Sequence, residues 1–263
     1  MTADITLASS GGDSAVLETI IQYQAELLGA VAVKTAAFQA AAAGGGGSGH
    51  GSELSRWVES RLVPYLRAET EVLIPALGQT AAGGELAGEL SASGAELLEL
   101  ADRIAASTRP ADTGAAAAAL QILLAGHLEL EAGRALPALA ESSRISLPEL
   151  WNDVVAASGN PTAGSEMTTS VTSKHVCECG ILDDDGFPEL DVCNVPHAIR
   201  HATVFGALDA VEKGSGMILI APHDPLPLLA QIEARAPGEF AVDYLDRGPE
   251  KWRLQFLRAG AVS

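Results

Sequence analysis

Two stretches, HLELEAGRALPAL at residues 127–139 and YLRAETEVLIPAL at residues 65–77, decide the fold of the first half of the chain. Each places a polar pair four positions apart among apolar residues, His127 with Glu131 and Tyr65 with Glu69. Residues at i and i+4 lie on one face of an α-helix. Each stretch therefore predicts a helix whose inward face carries a carboxylate.

Helical patterns extend outward from these stretches over most of the first 158 residues. We predict helices over residues 14–43, 53–77, 85–107 and 113–139, with a short fifth helix after Pro148. A glycine run at residues 44–47 separates the first two helices, and the other connections are short, which favours antiparallel neighbours. We therefore expect a disordered tail over residues 1–13 and an antiparallel four-helix bundle over residues 14–158.

The second half of the chain follows a different pattern. Residues 159–174 are rich in Ser, Thr, Gly and Pro, have no apolar period and predict a linker. Beyond it, strand and helix patterns follow the order β-α-β-α-β-β, at residues 190–193, 197–211, 216–221, 226–235, 240–245 and 251–256. This order predicts a small two-layer domain over residues 175–263. The expected fold class is α+β with two domains.

Composition limits the classes of partner. The chain has 263 residues with 34 acidic and 16 basic side chains, a formal net charge of −18. Such a surface repels phosphate backbones and anionic lipids, so we expect no nucleic acid and no membrane among its partners. The most apolar helical stretch, residues 115–125, is too short to span a bilayer. No nucleotide-binding loop is recognisable, so we expect no nucleotide cofactor.

The same features suggest a compartment. Residues 1–13 lack the cationic start and apolar core of a signal peptide. The chain has three cysteines, an odd number that argues against a disulfide framework. We therefore expect a cytoplasmic protein.

Three inward residues of the helical half, Glu69, His127 and Glu131, are of metal-ligating types. A carboxylate in a bundle core is costly unless it is paired or metal-bound. The two opening stretches resemble the His-x-x-x-Glu repeats of hemerythrin-like cation-binding (HHE) domains, and the resemblance covers residues 14–141. It implies a centre with further histidines where this chain has Gln24, Tyr65 and a residue near Gly94.

Without those histidines, only three ligands remain, whereas a di-iron centre takes about five or six protein ligands. We therefore expect no di-iron centre in the bundle. The favoured interpretation is a bundle that kept its fold and lost its metals. The alternative is a single, weakly held metal at the residual site of Glu69, His127 and Glu131.

The soft metal ligands of the chain are concentrated in its second half. All three cysteines and four of the six histidines lie between residues 175 and 223. In Cys177-x-Cys179 an extended backbone directs both thiolates to one side, together with His175. His197 and His201 share a helical face, and β-α-β geometry brings the start of that helix near the residues that follow the next strand.

These positions predict a site for one transition metal, iron or zinc with copper as a further choice. Its ligands would be Cys177, Cys179, His201 and His223, with His175 or His197 in addition. Asp224 would orient a neighbouring imidazole. Thiolate and imidazole ligands suit these metals and exclude magnesium and calcium. The alternative is an incidental cluster, with His201 in the core and both cysteines in a mobile linker.

The second half also resembles the domain of unknown function 2249. The resemblance rests on LDVCNVPHAIRHATVFGAL at residues 190–208, PHDPLPL at 222–228 and GPEKWR at 248–253, and it covers residues 188–259. That family often accompanies hemerythrin-like or cupin domains, and its topology is similar to that of SirA/TusA-like sulfur carriers. The carriers' reactive cysteine falls on Pro196-His197 here, whereas Cys193 lies on the preceding strand.

Three functional hypotheses follow. The first is a metal-binding protein with a mononuclear Cys/His site in the second domain, which acts as an oxidative enzyme on, or senses, a small redox-active or nitrogenous molecule. The second is a non-enzymatic regulatory module that responds to a metal, nitric oxide or dioxygen, with the bundle serving dimerisation or partner docking. The third is a sulfur-handling protein that uses Cys193.

Overall fold

The computed structural model describes residues 11–44, 47–81, 83–159 and 187–260. These residues form two compact units. The first contains residues up to Gln24 together with residues from Gly51 to 159, and the second contains residues 25–50 together with 187–260. The predicted α+β layout is confirmed at this level, with helices in the first half of the chain and a small mixed sheet with helices in the second.

Helices account for the described part of the first half. Helix α1 is Gly11–Ala43, α2 covers residues 47–77, α3 is Gly83–Ala106, α4 covers residues 110–140 and α5 is Leu147–Ser158. Helix α1 begins at Gly11, and the Asp13 carboxylate accepts a hydrogen bond from the backbone N–H of Leu147, so residues 11–13 belong to the fold and not to the predicted tail. At α5, Ser146 caps the first turn and Gly159 ends the helix in a left-handed conformation.

Helices α2 and α4 contain π-helical turns, each followed by a proline. In α2 the π turns are Val58–Leu62 and Glu69–Leu73, and in α4 the π turn is Glu131–Ala135. Each turn ends two residues before a proline (Pro64, Pro75 or Pro137). Proline lacks the N–H of the regular i→i−4 bond and its ring collides with the carbonyl four residues back. The widened turn before each proline removes that collision.

The core of the first unit is made mainly of leucines from α2, α3 and α4. The least exposed are Leu62, Leu66, Leu73, Leu77, Leu90, Leu97, Leu120, Leu124, Leu136 and Leu139. The ring of Tyr23 on α1 packs against those of Tyr65 and Trp151, with centroids 5.5 and 5.7 Å apart. The site discussed below lies among these buried side chains.

The second unit contains a four-stranded sheet and two helices. Its elements are β1 (Glu189–Asp191), α6 (His197–Ala210), β2 (Gly216–Ala221), α7 (Leu226–Arg235), β3 (Phe240–Arg247) and β4 (Trp252–Arg258). The strand order is β1-β2-β4-β3; β1 and β2 are parallel and the other pairs are antiparallel. Met217, Leu219, Leu254 and Phe256 are fully buried. The predicted order of elements is confirmed.

The second half of α1 belongs to the second unit and packs closely against α6. A Cβ atom on Gly29 would lie 1.8 Å from the Thr203 carbonyl oxygen, and one on Gly206 would lie 1.9 Å from the Glu26 carbonyl oxygen. Only glycine permits such an approach of two helix backbones. Arg235 adds an ion pair of 3.0 Å with Glu26. The sequence analysis assigned all of α1 to the first domain. The domain boundaries expected from the sequence stay a prediction.

Two helices are long and apolar enough to cross a membrane by length and composition, residues 12–43 of α1 and 110–140 of α4. The second includes residues 115–125, and the helix extends well beyond that stretch at both ends, so the argument from its shortness does not hold. Core helices of globular proteins and signal sequences satisfy the same criterion, which makes this a weak indication. The predictions of no membrane partner and of a cytoplasmic location stay predictions.

Candidate metal centre

Two helices bring three metal-ligating side chains together in the first unit. Glu69 is the first residue of a π turn of α2, Glu131 is the first residue of the π turn of α4, and His127 lies one turn before Glu131. Their exposed fractions are 1%, 0% and 2%, respectively. One ligand atom from each lies within 4.8 Å of the others. In the part of the chain that the structure describes, this is the one such group.

His127 connects α4 to both α2 and α3. Its Nε2 lies 2.8 Å from Glu69 Oε1, and its Nδ1 lies 2.6 Å from the hydroxyl oxygen of Ser93. The Ser93 hydroxyl also lies 3.2 Å from the carbonyl oxygen of Leu90, and when it donates its proton there its oxygen accepts from Nδ1–H. This arrangement leaves the lone pair of Nε2 directed at Glu69, which is the tautomer that binds a metal through Nε2.

A second chain of contacts reaches Glu131. The Tyr65 hydroxyl lies 3.3 Å from Glu131 Oε2 and 3.5 Å from Oε1, to which it donates. Gln24 on α1 donates from Nε2 to the Tyr65 oxygen at 3.0 Å. Its carbonyl oxygen, Oε1, is buried and has no hydrogen-bond partner among the described residues. A buried acceptor without a donor is unusual and has an unused lone pair.

Burial dominates the electrostatics of the group. Desolvation raises the pKa of Glu69 to about 8. Desolvation, followed by the charge of Glu69, raises the pKa of Glu131 well above its usual range, and desolvation lowers the pKa of His127. The contact between His127 and Glu69 is therefore best described as a neutral hydrogen bond, with a protonated carboxyl donating to Nε2, although its length also fits an ion pair.

The donor set suits a metal ion. Two carboxylates and one imidazole are ligands that zinc, ferrous iron and manganese accept. Their two negative charges balance a divalent cation. Three such residues are too few to hold two irons, which agrees with the expectation of no di-iron centre. That expectation stays a prediction for measurement to test.

The structure also locates the positions at which the hemerythrin-like resemblance implies histidines. Gln24 and Tyr65 adjoin the group through the hydrogen bonds above. A Cβ atom on Gly94 would lie 3.8 Å from His127 Cε1, so that position faces the group too. Sequence analysis named these three positions but missed Ser93. The adjacent Ser93-Gly94 pair on an inward helix face was the signal available for it.

The predicted Cys/His site of the second half is described only in part. Cys177, Cys179 and His175 lie outside the described residues. The rings of His197 and His201 are 6.4 Å apart, and His201 Nδ1 lies 2.9 Å from Gln231 Oε1.

The remaining members of that site are less closely associated with one another. His223 is exposed, and its Nδ1 lies 3.2 Å from the Asp224 carbonyl oxygen. The Asp224 carboxylate, expected to orient an imidazole, accepts a hydrogen bond from the Tyr244 hydroxyl at 2.8 Å. The Cys/His site thus stays a prediction.

Cys193 follows the β1 strand and is partly buried. Desolvation, followed by a hydrogen bond to Asp191, raises the pKa of its thiol. Sulfur transfer requires a thiolate. The surroundings of Cys193 therefore do not favour the sulfur-handling hypothesis.

These observations define an α+β protein with a candidate metal centre among its helices. Residues 189–258, which span β1 to β4, match the family described as "Uncharacterized conserved protein (DUF2249)". The match supports the resemblance found for the second half and carries no function. The hemerythrin-like resemblance of residues 14–141 has no support from a family match and stays an interpretation. Searches of curated proteins and of solved structures found no match.

Proposed function

We propose that this chain is a metal-binding protein whose helical half, arranged as an antiparallel four-helix bundle, holds one transition-metal ion. Glu69, His127 and Glu131 are its proposed ligands. One observation carries the proposal: three fully buried metal-ligating side chains from two helices present ligand atoms within 4.8 Å of one another.

The cost of burying these groups supports a cation. Two ionised carboxylates without a partner would be strongly destabilising in an apolar core. Without a metal, the pKa of about 8 means that Glu69 retains a proton near neutral pH, and burial raises the pKa of Glu131 as well. A divalent ion supplies the balancing charge and releases those protons. Burial lowers the pKa of His127, which favours the neutral imidazole that binds a metal, and the contact with Ser93 orients the ring.

The number of ligands supports a mononuclear site that binds a small molecule. Three protein ligands leave coordination positions open on iron or zinc, as in sites that bind exogenous ligands. Glu69, His127 and Glu131 are all buried. The molecule that binds at the open positions of the metal must therefore be small, such as dioxygen or nitric oxide. We assign the site a binding or sensing role of this kind, in a cytoplasmic protein that does not bind nucleic acid.

Metal analysis of paired variants tests the proposal. Full-length protein is stripped with a chelator, reloaded with Co²⁺ or Zn²⁺, and analysed for metal content and for affinity by calorimetry. We expect one ion per chain in the parent and in a Glu71→Gln/Glu129→Gln control, whose exposed carboxylates lie on the same two helices. The Glu69→Gln/Glu131→Gln variant should bind less than a tenth as much. Equal loading of both variants would refute the site.

The Cys/His site remains a second candidate, favoured by the two imidazoles on one face of α6 with rings 6.4 Å apart. We propose for it the ligands predicted above, Cys177 and Cys179 foremost. The Cys177→Ser/Cys179→Ser variant, analysed beside the carboxylate variants, separates the two sites. Loss of the ion in the cysteine variant alone would place the metal in the second half of the chain.

A further inference from the structure

We propose that α6 binds one divalent transition-metal ion, preferably Cu²⁺, through the imidazoles of His197 and His201, and that Gln231 holds His201 in the tautomer that binding requires. The inference rests on the Cys/His site proposed above as the second candidate. It narrows that site to side chains that the structure describes, and it names a preferred ion and a positioning residue.

The spacing of the two histidines places both imidazoles on one face of α6. His197 is the first residue of the helix and His201 lies one turn later, with the ring centroids 6.4 Å apart. Two histidines at i and i+4 of one helix bind zinc in metalloproteases. Rings bound to one ion by metal–nitrogen bonds of about 2.0–2.1 Å have centroids roughly 4.5–5.5 Å apart. His197 is exposed, so rotation of its side chain can close the difference of about 1–2 Å.

Gln231 on α7 determines which nitrogen of His201 is available. The Nδ1 atom of His201 lies 2.9 Å from the side-chain carbonyl oxygen of Gln231. That oxygen can only accept a hydrogen bond, so Nδ1 carries the proton and the lone pair of the neutral ring is on Nε2. Metal-binding histidines are commonly oriented in this way, by an acceptor at the nitrogen that does not bind. Phe205 also contacts the His201 ring in a T-shaped arrangement, with centroids 6.5 Å apart.

The charges near this face permit the approach of a cation. Arg235 on α7 is paired with Glu26 at 3.0 Å and with Asp209 at 2.9 Å. Arg200, the basic residue nearest to both histidines in the sequence, donates to the carbonyl oxygen of Val195 at 2.9 Å. The formal net charge of the chain is −18, which favours the approach of cations from solution.

Two neutral imidazoles determine the class of ion. Imidazole nitrogen binds copper, nickel and zinc, whereas magnesium and calcium require oxygen ligands. With the same ligands, the affinity of divalent first-row ions rises to a maximum at Cu²⁺. We therefore expect Cu²⁺ to bind more tightly than Ni²⁺ or Zn²⁺. Two protein ligands leave the other positions of the ion to water or to further ligands.

Binding of Cu²⁺ to a full-length background variant tests the pair of ligands. The background combines the paired cysteine and paired carboxylate substitutions given above, which removes the other proposed ligands. We expect one Cu²⁺ per chain in the background and in its His50→Gln control, with nitrogen hyperfine structure in the electron paramagnetic resonance spectrum. His197→Gln and His201→Gln should each lower the affinity by at least about 10-fold, because losing a ligand costs no less than losing its orienting partner.

The role of Gln231 has its own readout. Gln231→Ala should lower the affinity by about 10-fold, the lower end for an orienting residue, because its hydrogen bond is exposed. Gln231→Glu retains an acceptor and should restore the affinity. Electron spin-echo spectroscopy detects the imidazole nitrogen that is remote from the copper. Its signal should change in Gln231→Ala and return in Gln231→Glu, and an unchanged signal and affinity in Gln231→Ala would overturn this role.

The failure of this inference is distinguishable from that of the Cys/His site. Equal Cu²⁺ affinity in the background and in both α6 histidine variants overturns the inference. Binding by the parent but not by the folded background also overturns it, and leaves a site that needs the cysteines or the carboxylates. If the background does not fold by circular dichroism, nuclear magnetic resonance of the parent decides. Early broadening by Cu²⁺ of the amide signals of residues 197–201 supports the inference, and its absence refutes it.

Discussion

Replacing Glu69 with glutamine isolates the electrostatic cost of the centre in metal-free protein. Burial raises the pKa of Glu69 from 4.5 to about 8. Between these pH values the folded protein holds a proton that the unfolded chain has released. The free energy of unfolding therefore falls as pH rises, by about 1.4 kcal/mol per pH unit. The loss attributable to this residue is about 3 kcal/mol at pH 7 and is complete near pH 8.

Glutamine does not titrate, and its amide can donate to His127 Nε2 as the protonated carboxyl does. In the presence of a chelator, Glu69→Gln should therefore be more stable than the parent by up to about 3 kcal/mol at pH 7, with little difference at pH 4.5. Urea denaturation followed by circular dichroism at pH 5, 6, 7 and 8 measures the difference. The control Glu71→Gln changes an exposed carboxylate two residues away and should match the parent.

Metal reverses the sign of the pH effect. The bound ion needs deprotonated carboxylates, so its affinity should rise with pH up to about pH 8, by at least about tenfold per pH unit. Parent and Glu69→Gln curves that run parallel from pH 5 to 8 without metal would refute the reasoning, because Glu69 would then titrate alike in the folded and unfolded protein.

Three further changes follow from the structure. Ser93→Ala removes the acceptor for His127 Nδ1–H and should lower metal affinity by about 10- to 100-fold, measured by calorimetry, with unchanged helix content; unchanged affinity would contradict its orienting role. Gly206→Ala brings a Cβ atom against the backbone of α1 and should lower the free energy of unfolding by more than about 2 kcal/mol. The control Gly88→Ala lies in open space and should raise the free energy of unfolding by about 0.5–1 kcal/mol. A Gly206→Ala variant more stable than Gly88→Ala would contradict the α1–α6 contact. Pro137→Ala permits a regular turn in place of the π turn and should weaken metal binding more than it changes the melting temperature; equal affinity would show that the π turn does not position Glu131.

The elements could be predicted from the sequence because each has a clear period and clear ends. The i,i+4 spacing in α2 and α4, the glycine run after α1 and the alternation of β3 and β4 were sufficient to find them. The contact between α1 and α6 could not be predicted in this way. Helix α1 is apolar on most of its surface. No single face therefore indicated that the residues from Ala25 onward belong to a different unit from the residues before them.

The members of the centre were predicted, but its geometry was not. The sequence identified Glu69, His127 and Glu131 as a residual metal site and ranked it below the Cys/His cluster. That ranking compared the number of metal-ligating residues, which says nothing about the distances between them. The unpartnered oxygen of Gln24 and the contact of Ser93 with His127 Nδ1 depend on which atoms meet across helices. No local pattern encodes that information.

The π turns at Glu69 and Glu131 also affect how the chain tolerates insertions and deletions. A one-residue deletion within a regular α-helix rotates everything after it by about 100° and moves the following leucines off the core. A π turn holds one residue more than an α turn. A deletion within it, together with loss of the nearby proline, returns the helix to a regular period and leaves Leu136 and Leu139 on their original face. The two turns that carry the carboxylates are thus positions at which the chain length can change by one residue while the core is retained.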